Sequence, residues 1–326
     1  AAGDEPELAL SDFEKVLQLN KAQEEQIAEE IISNPALYEM VIADETSYSS
    51  LIALVPPPTA TPTDTPTGML TPITPLPPSA TPTSTFTPTP GPTPIGQGIS
   101  LDVPILMYHY ISVPPPEAND IRLDLSVTPA QFEAHLAYLR QAGYETISMR
   151  QLAYALSQQA PLPPKPIIIT FDDGYRDNYE NAFPLLRKYG YTGVFFIFNY
   201  PIDTGDADYL TWDMVIEMHK AGMEIGSHSY RHWDLRGRDA DFLVYEIVGS
   251  KEAIEQRIGE PVRFFAYPFG YYDDLTKRVI ESAHFWSAVT TELGIEQSFD
   301  NRFEMPRIRM HGYDQVDELA KKLNSF

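Results

Sequence analysis

Between Pro56 and Pro94 the chain carries 14 prolines and 13 threonines in 39 residues, and Asp64 is the one charged side chain there. Such a stretch cannot pack a core. Each proline removes a backbone donor and fixes φ, and Thr-Pro alternation favours extended, solvated polyproline II. The segment reads as a semi-rigid spacer, with or without O-linked sugars on its threonines, and it divides the chain. An acidic helical segment is expected over 1–54, a disordered Pro/Thr-rich stalk over 55–100, and a catalytic-sized domain over 101–326. With 326 residues in all, one α/β barrel fits after the stalk and a second enzyme domain does not.

Charge and composition narrow the function class. Lys and Arg total 23 against 46 Asp and Glu, and a net charge of −23 repels phosphate backbones and anionic lipid headgroups. Nucleic-acid partners and membrane insertion are therefore not expected. There is no cysteine, so disulfides and thiolate chemistry are excluded and a metal would need His and carboxylate ligands. No apolar run reaches membrane-spanning length. The sequence starts at Ala1, so a removed signal or anchor would not be visible. In the N-terminal segment, Ser11 and Glu14 have capping-box spacing and an apolar stripe predicts a helix over about 12–33, ended by Asn34-Pro35, with a second over 36–42. So small a unit is only weakly stable alone; it reads either as an element that docks a partner or as a loosely folded appendage.

From Leu101 onward short apolar runs alternate with amphipathic stretches. Strands are expected at 104–108, 144–147, 166–171, 193–198, 223–226, 263–267, 286–290 and 305–310. Helices are expected near 129–142, 149–158, 179–189, 212–221, 239–258 and 273–283, with Thr128, Ser148, Thr211 and Asp239 as N-caps. Repeated βα units of this kind predict a parallel sheet closed into a distorted (β/α) barrel, with a doubly wound sheet as the alternative. A barrel gathers function at the C-terminal ends of its strands.

Two such ends carry candidate chemistry. The run PIIITFDDGY over 166–175 places Asp172 and Asp173 after a buried strand, and a turn permitted by Gly174 can bring both carboxylates to one site. Adjacent carboxylates invite a split of roles, one on a metal and one free as a base; a strand-end Asx turn is the bland reading. The run MEIGSHSYRHWDL over 223–235 presents His228 and His232 four residues apart, which on a helical turn would face them the same way and clamp a divalent cation. Taken alone, that pair is equally well a solvated face. With Asp-Asp-Gly at another strand end, a metal site is the better reading.

The ordered set ILMYHYI (105–111), ITFDDGY (169–175), GVFFI (193–197), GMEIGSHSYRH (222–232), AYPFG (266–270) and PRIRMHG (306–312) resembles polysaccharide deacetylases of the NodB-homology type, the fourth family of carbohydrate esterases. The resemblance runs from Leu101 to the C-terminus and implies a secreted or envelope-associated hydrolase with a metal site. Such an enzyme removes N-acetyl groups from an amino-sugar polysaccharide resembling poly-N-acetylglucosamine, chitin or peptidoglycan. It implies Asp173, His228 and His232 as ligands of a divalent metal, zinc first with cobalt, nickel or iron as alternatives. Asp172 is then the general base, and the backbone amide of Phe269, beside Tyr267, the oxyanion donor.

Two departures matter. Ala266 stands where chitin- and peptidoglycan-type members carry an arginine that pairs with the base, so Arg307 or Arg263 must substitute, and Ala there resembles the poly-β-1,6-N-acetylglucosamine branch. Arg307 is also a candidate for the oxyanion and substrate side. The general acid is open between His109, which ends the first strand, and His311, which ends the last, although Arg309 replaces the apolar residue expected two positions earlier. His135, His219 and His284 read as packing or surface residues, and Tyr175, Trp212, Trp233, Tyr271 and Tyr272 as packing residues or sugar-stacking faces. The competing functions are removal of O-acetyl groups from xylan-type polymers and a non-catalytic glycan-binding protein.

Overall fold

The computed structural model describes residues 91–95 and 99–326. The helices expected over 12–33 and 36–42, and most of the stalk, lie outside the described residues. The strands are β1 (Ser100–Asp102), β2 (Ile105–Tyr108), β3 (Glu145–Thr146), β4 (Pro166–Phe171), β5 (Val194–Ile197), β6 (Glu224–Ser227), β7 (Phe264–Ala266), β8 (Ser287–Leu293), β9 (Glu296–Ser298) and β10 (Met305–Arg309).

Seven of these close into a parallel ring, in the order β2-β10-β8-β7-β6-β5-β4 and back to β2. The closing pairs run from Ile105 opposite Ile168 to Tyr108 opposite Phe171, which excludes the open, doubly wound alternative. β3 adds to the outer start of β4, with Glu145 opposite Pro166. A ring of parallel strands has no wet face. That is why β2, β4 and β5 read as near-continuous apolar runs, buried almost throughout. Alternate residues divide between two cores: Ile105, Ile168, Phe196, Phe264 and Val289 fill the barrel interior, while Leu106, Ile169, Phe171 and Phe195 pack under the helices.

All eight strands expected from the sequence are present within one to three residues at each end. Two capping boxes start helices as expected, Thr128 with Gln131 and Ser148 with Gln151. Two expected helices begin with a π turn instead, over Asn178–Ala182, or contain one, over Val244–Gly249. Among the described residues no helix is long and apolar enough to cross a membrane. His135 is fully buried between the Tyr108 hydroxyl and the Asp314 carbonyl, both at 3.1 Å, which fits its reading as a packing residue.

Candidate active site

The site is built where β4, β6, β7 and β10 end. After Phe171 the backbone takes two successive left-handed steps, φ +72° at Asp173 and +76° at Gly174. A Cβ at Gly174 would also lie 3.0 Å from Ile197 Cγ2, so both the turn and the space call for glycine. The double turn separates the two carboxylates. Asp172 faces the barrel interior, and Asp173 reaches the end of β6.

Asp173 meets both histidines. His228 Nε2 lies 3.4 Å and His232 Nε2 3.3 Å from its Oδ1. Bonds of about 2.0–2.2 Å to a tetrahedral cation separate the donors by about 3.3–3.6 Å, so these three groups already stand at ligand spacing. One neutral imidazole face on each side of a carboxylate is a donor set suited to zinc and related divalent ions. His228 Nδ1–H donates to the Ala266 carbonyl at 2.7 Å, which fixes the tautomer that leaves Nε2 free for a cation.

The local geometry corrects the expected helical turn. Residues 228–232 form an irregular loop, with φ +67° at Ser229 and +61° at His232, and the two rings sit 4.7 Å apart. His232 N–H donates to Ser229 Oγ at 2.9 Å, and the amides of Tyr230 and Arg231 both donate to Glu246 Oε2, at 3.1 and 2.8 Å. Glu246 is fully buried and sits on the π turn over Val244–Gly249, which aims it at the loop. Asn178, on the other π turn, likewise donates to the His109 carbonyl at 2.8 Å. Neither residue stood out in the sequence, because each acts through a backbone far from it in the chain.

Of the six described non-glycine residues with positive φ, four (Asp173, Ser229, His232 and Phe269) lie in these loops. Strain concentrates where side chains must be aimed. Phe269, at φ +58° in the short 3₁₀ turn Pro268–Gly270, is half exposed, and its ring lies 4.6 Å from that of His232.

Asp172 is held by Arg307 alone among the arginines considered. Nη1 donates to Oδ1 at 2.8 Å and Nη2 to Oδ2 at 2.6 Å; Nη1 also reaches Thr170 Oγ1, and Nε donates to the Thr290 carbonyl. Arg307 is fully buried with its donors engaged, so the expectation that it faces substrate or the oxyanion is corrected: it crosses the barrel interior and clamps the carboxylate. Arg263 is at the other end of the strands, 5.0 Å over the Trp286 ring. Tyr267 is also corrected. It is fully buried, and its hydroxyl donates to the Phe303 carbonyl at 3.0 Å, away from the mouth.

Burial alone would raise both carboxylic pKa values, yet both are lowered. For Asp172 the Arg307 guanidinium outweighs desolvation; for Asp173 the His228 hydrogen bond and the neighbouring imidazoles do. Burial pulls His232 down to about 4 and also lowers His109. His228 moves up, because Asp173 and Asp172 outweigh its desolvation.

The two histidines considered as acids are placed differently. His109 Nδ1 is buried without a hydrogen-bond partner. His311 Nδ1 lies 2.8 Å from Asp124 Oδ1, and Arg309 Nη2 donates to the other oxygen of Asp124 at 3.0 Å. The unexpected Arg309 thus helps orient Asp124, which sits in α1 (Asp120–Leu125), a helix too short to be seen in the sequence. His311 is a quarter exposed on its side chain and stacks on Tyr313.

Comparison with known proteins adds a common pattern. The family model described as polysaccharide deacetylase matches residues 159–286. A Bacillus subtilis protein named "Putative polysaccharide deacetylase YxkH" is 33% identical over 208 residues, covering 64% of this chain and 71% of that protein. The poly-beta-1,6-N-acetyl-D-glucosamine N-deacetylase of Staphylococcus aureus is 24% identical over 215 residues, covering 62% and 73%. Among solved structures, the Streptococcus pyogenes deacetylase PplD in complex with acetate superposes with a TM-score of 0.64 at 29% identity, over 70% of this chain and all of that one.

Proposed function

We propose, from the premise that this chain belongs to the polysaccharide deacetylase family, that it hydrolyses the N-acetyl groups of an N-acetylglucosamine polymer outside the cell or in its envelope. The observation that carries the reading is the Asp173–His228–His232 group at ligand spacing beside the Arg307-clamped Asp172. A β-1,6-linked polymer is favoured, because Ala266 stands where an arginine is expected in chitin- and peptidoglycan-type members and because the Staphylococcus aureus relative is named for that linkage. The envelope location rests on the polymeric substrate and on the Thr/Pro-rich segment before the domain.

Asp173, His228 and His232 would hold a divalent cation, zinc in the first instance, which supplies Lewis-acid polarisation and lowers the pKa of water towards about 7. Asp172, kept ionised by Arg307, accepts the proton of the water that attacks the acetyl carbonyl. The Phe269 amide donates to the oxygen that gains charge, and being a backbone group it is indifferent to the Phe side chain. The C–N bond then breaks, acetate departs, and the sugar nitrogen takes a proton from His311 Nε2. His311 is preferred over His109 because Asp124 can hold a proton on Nδ1 and orient the ring, whereas burial leaves His109 with little tendency to carry a proton.

Asp172→Asn is expected to keep the metal and lose on the order of 10²–10⁴ in acetate release from poly-N-acetylglucosamine, the usual worth of a positioned base. Asp173→Asn is expected to lose the metal itself. Metal analysis of the two purified variants decides between them, and equal metal loss in both would show that the roles are divided wrongly. A panel with acetylated xylan separates amide from ester hydrolysis. His311→Ala is expected to lower kcat while sparing the metal, and His109→Ala to leave kcat largely in place; the opposite result would transfer the role.

A further inference from the structure

At the opposite end of the strands, Trp286 immediately precedes β8, Met305 opens β10, and Phe299 and Phe303 lie in the connection between β9 and β10. With Ala153 and Leu156 they are among the residues that line a cavity of about 250 Å³, and Gly91-Pro92-Thr93-Pro94 form one wall of it. Pro92 and Pro94 are half-buried while Gly91, Thr93 and Ile95 are exposed, so the prolines alternate onto the aromatic floor. At Gly91 the backbone passes so near the indole that a Cβ would lie 3.3 Å from Trp286 Cδ1. The indole is itself braced edge-on by Tyr154 and Phe264. Ile95 N–H then donates to the Ser157 carbonyl at 2.7 Å, one of the last-turn carbonyls of the helix Met149–Gln158 that have no partner within it. A few residues on, β1 pairs antiparallel with β9, and Gln297 Nε2 donates to the Val103 carbonyl.

Proline segments dock on aromatic-lined grooves because polyproline II is already extended and loses little freedom on binding. We infer that the barrel floor carries a proline-binding groove, occupied by residues 91–95 of the same chain, at the end of the strands opposite Asp173, His228 and His232. The last part of the expected spacer is then a strap rather than free linker. None of these residues takes part in the chemistry at the mouth, so the inference stands or falls separately from the proposed reaction.

Hydrogen exchange on the full chain tests it, with the Pro92→Gly/Pro94→Gly double variant as the comparison, since neither proline belongs to the two apolar cores of the barrel. The Ile95 amide is expected to exchange at least about tenfold more slowly in the parent than in the variant, with acetate release unchanged. Because the chain has no cysteine, Thr93→Cys gives a single labelling site, and a bimane there should be quenched by Trp286 and brighten when the two prolines are replaced. An Ile95 amide that exchanges equally fast in parent and variant, or a Thr93 label equally bright in both, would overturn the strap.

Discussion

Replacing His228 or His232 by Ala is expected to abolish acetate release and metal retention while the barrel stays folded. Both side chains lie beyond the C-terminal ends of the strands, outside the two apolar cores, so their loss removes a ligand and little packing. The diagnostic is the response of thermal unfolding to added zinc. A cation that binds only the folded state stabilises it by about 2.7 kcal/mol at one hundred times its Kd. That rise should be present in the parent and absent from both variants. A variant that still shows it, or that releases acetate at the parental rate without metal, would remove the ligand assignment.

Arg307→Met is expected to be the most destabilising single change near the site, at roughly 3–5 kcal/mol near neutral pH, because it leaves the buried Asp172 carboxylate without its cation. In the parent the folded-state pKa of Asp172 is depressed, so the stabilisation from the pair is present above the ordinary carboxylate value of about 3.9 and is lost as pH falls below it. In the variant, burial without the guanidinium raises the same pKa. Its deficit should therefore shrink on acidification, as Asp172 takes up a proton. Urea unfolding across that range tests the sign, and the double variant Asp172→Asn/Arg307→Met should recover part of the loss at neutral pH. A deficit below about 1 kcal/mol would mean that water reaches the pair.

The strands of the barrel were legible because a parallel strand buried on both faces leaves an unbroken apolar run, as in PIIITF before Asp172. The helix Val316–Asn324 and α1 went unread, although Asp124 in α1 proved to orient His311. The Asp173, His228 and His232 group was legible for a different reason: each half lies in one short stretch beside one strand end. What misled was the four-residue spacing of His228 and His232, which suggests a helix and is met instead by a strained loop tied to Glu246.

Sequence alone determined the alternation of strand and helix from Leu101 onward and which residue types could hold a cation, since these depend on backbone propensity, apolar period and local motif. Tertiary structure decided the partners. Arg307 and Asp172 are 135 positions apart, and Arg307, rather than Arg263, meets Asp172 because ring closure brings β10 within one strand of β4. Asp124, 187 positions from His311, reaches both it and Arg309 in the same way. A buried charge finds its counter-ion through the geometry of the closed barrel, and no local pattern in the chain encodes which of several arginines that will be.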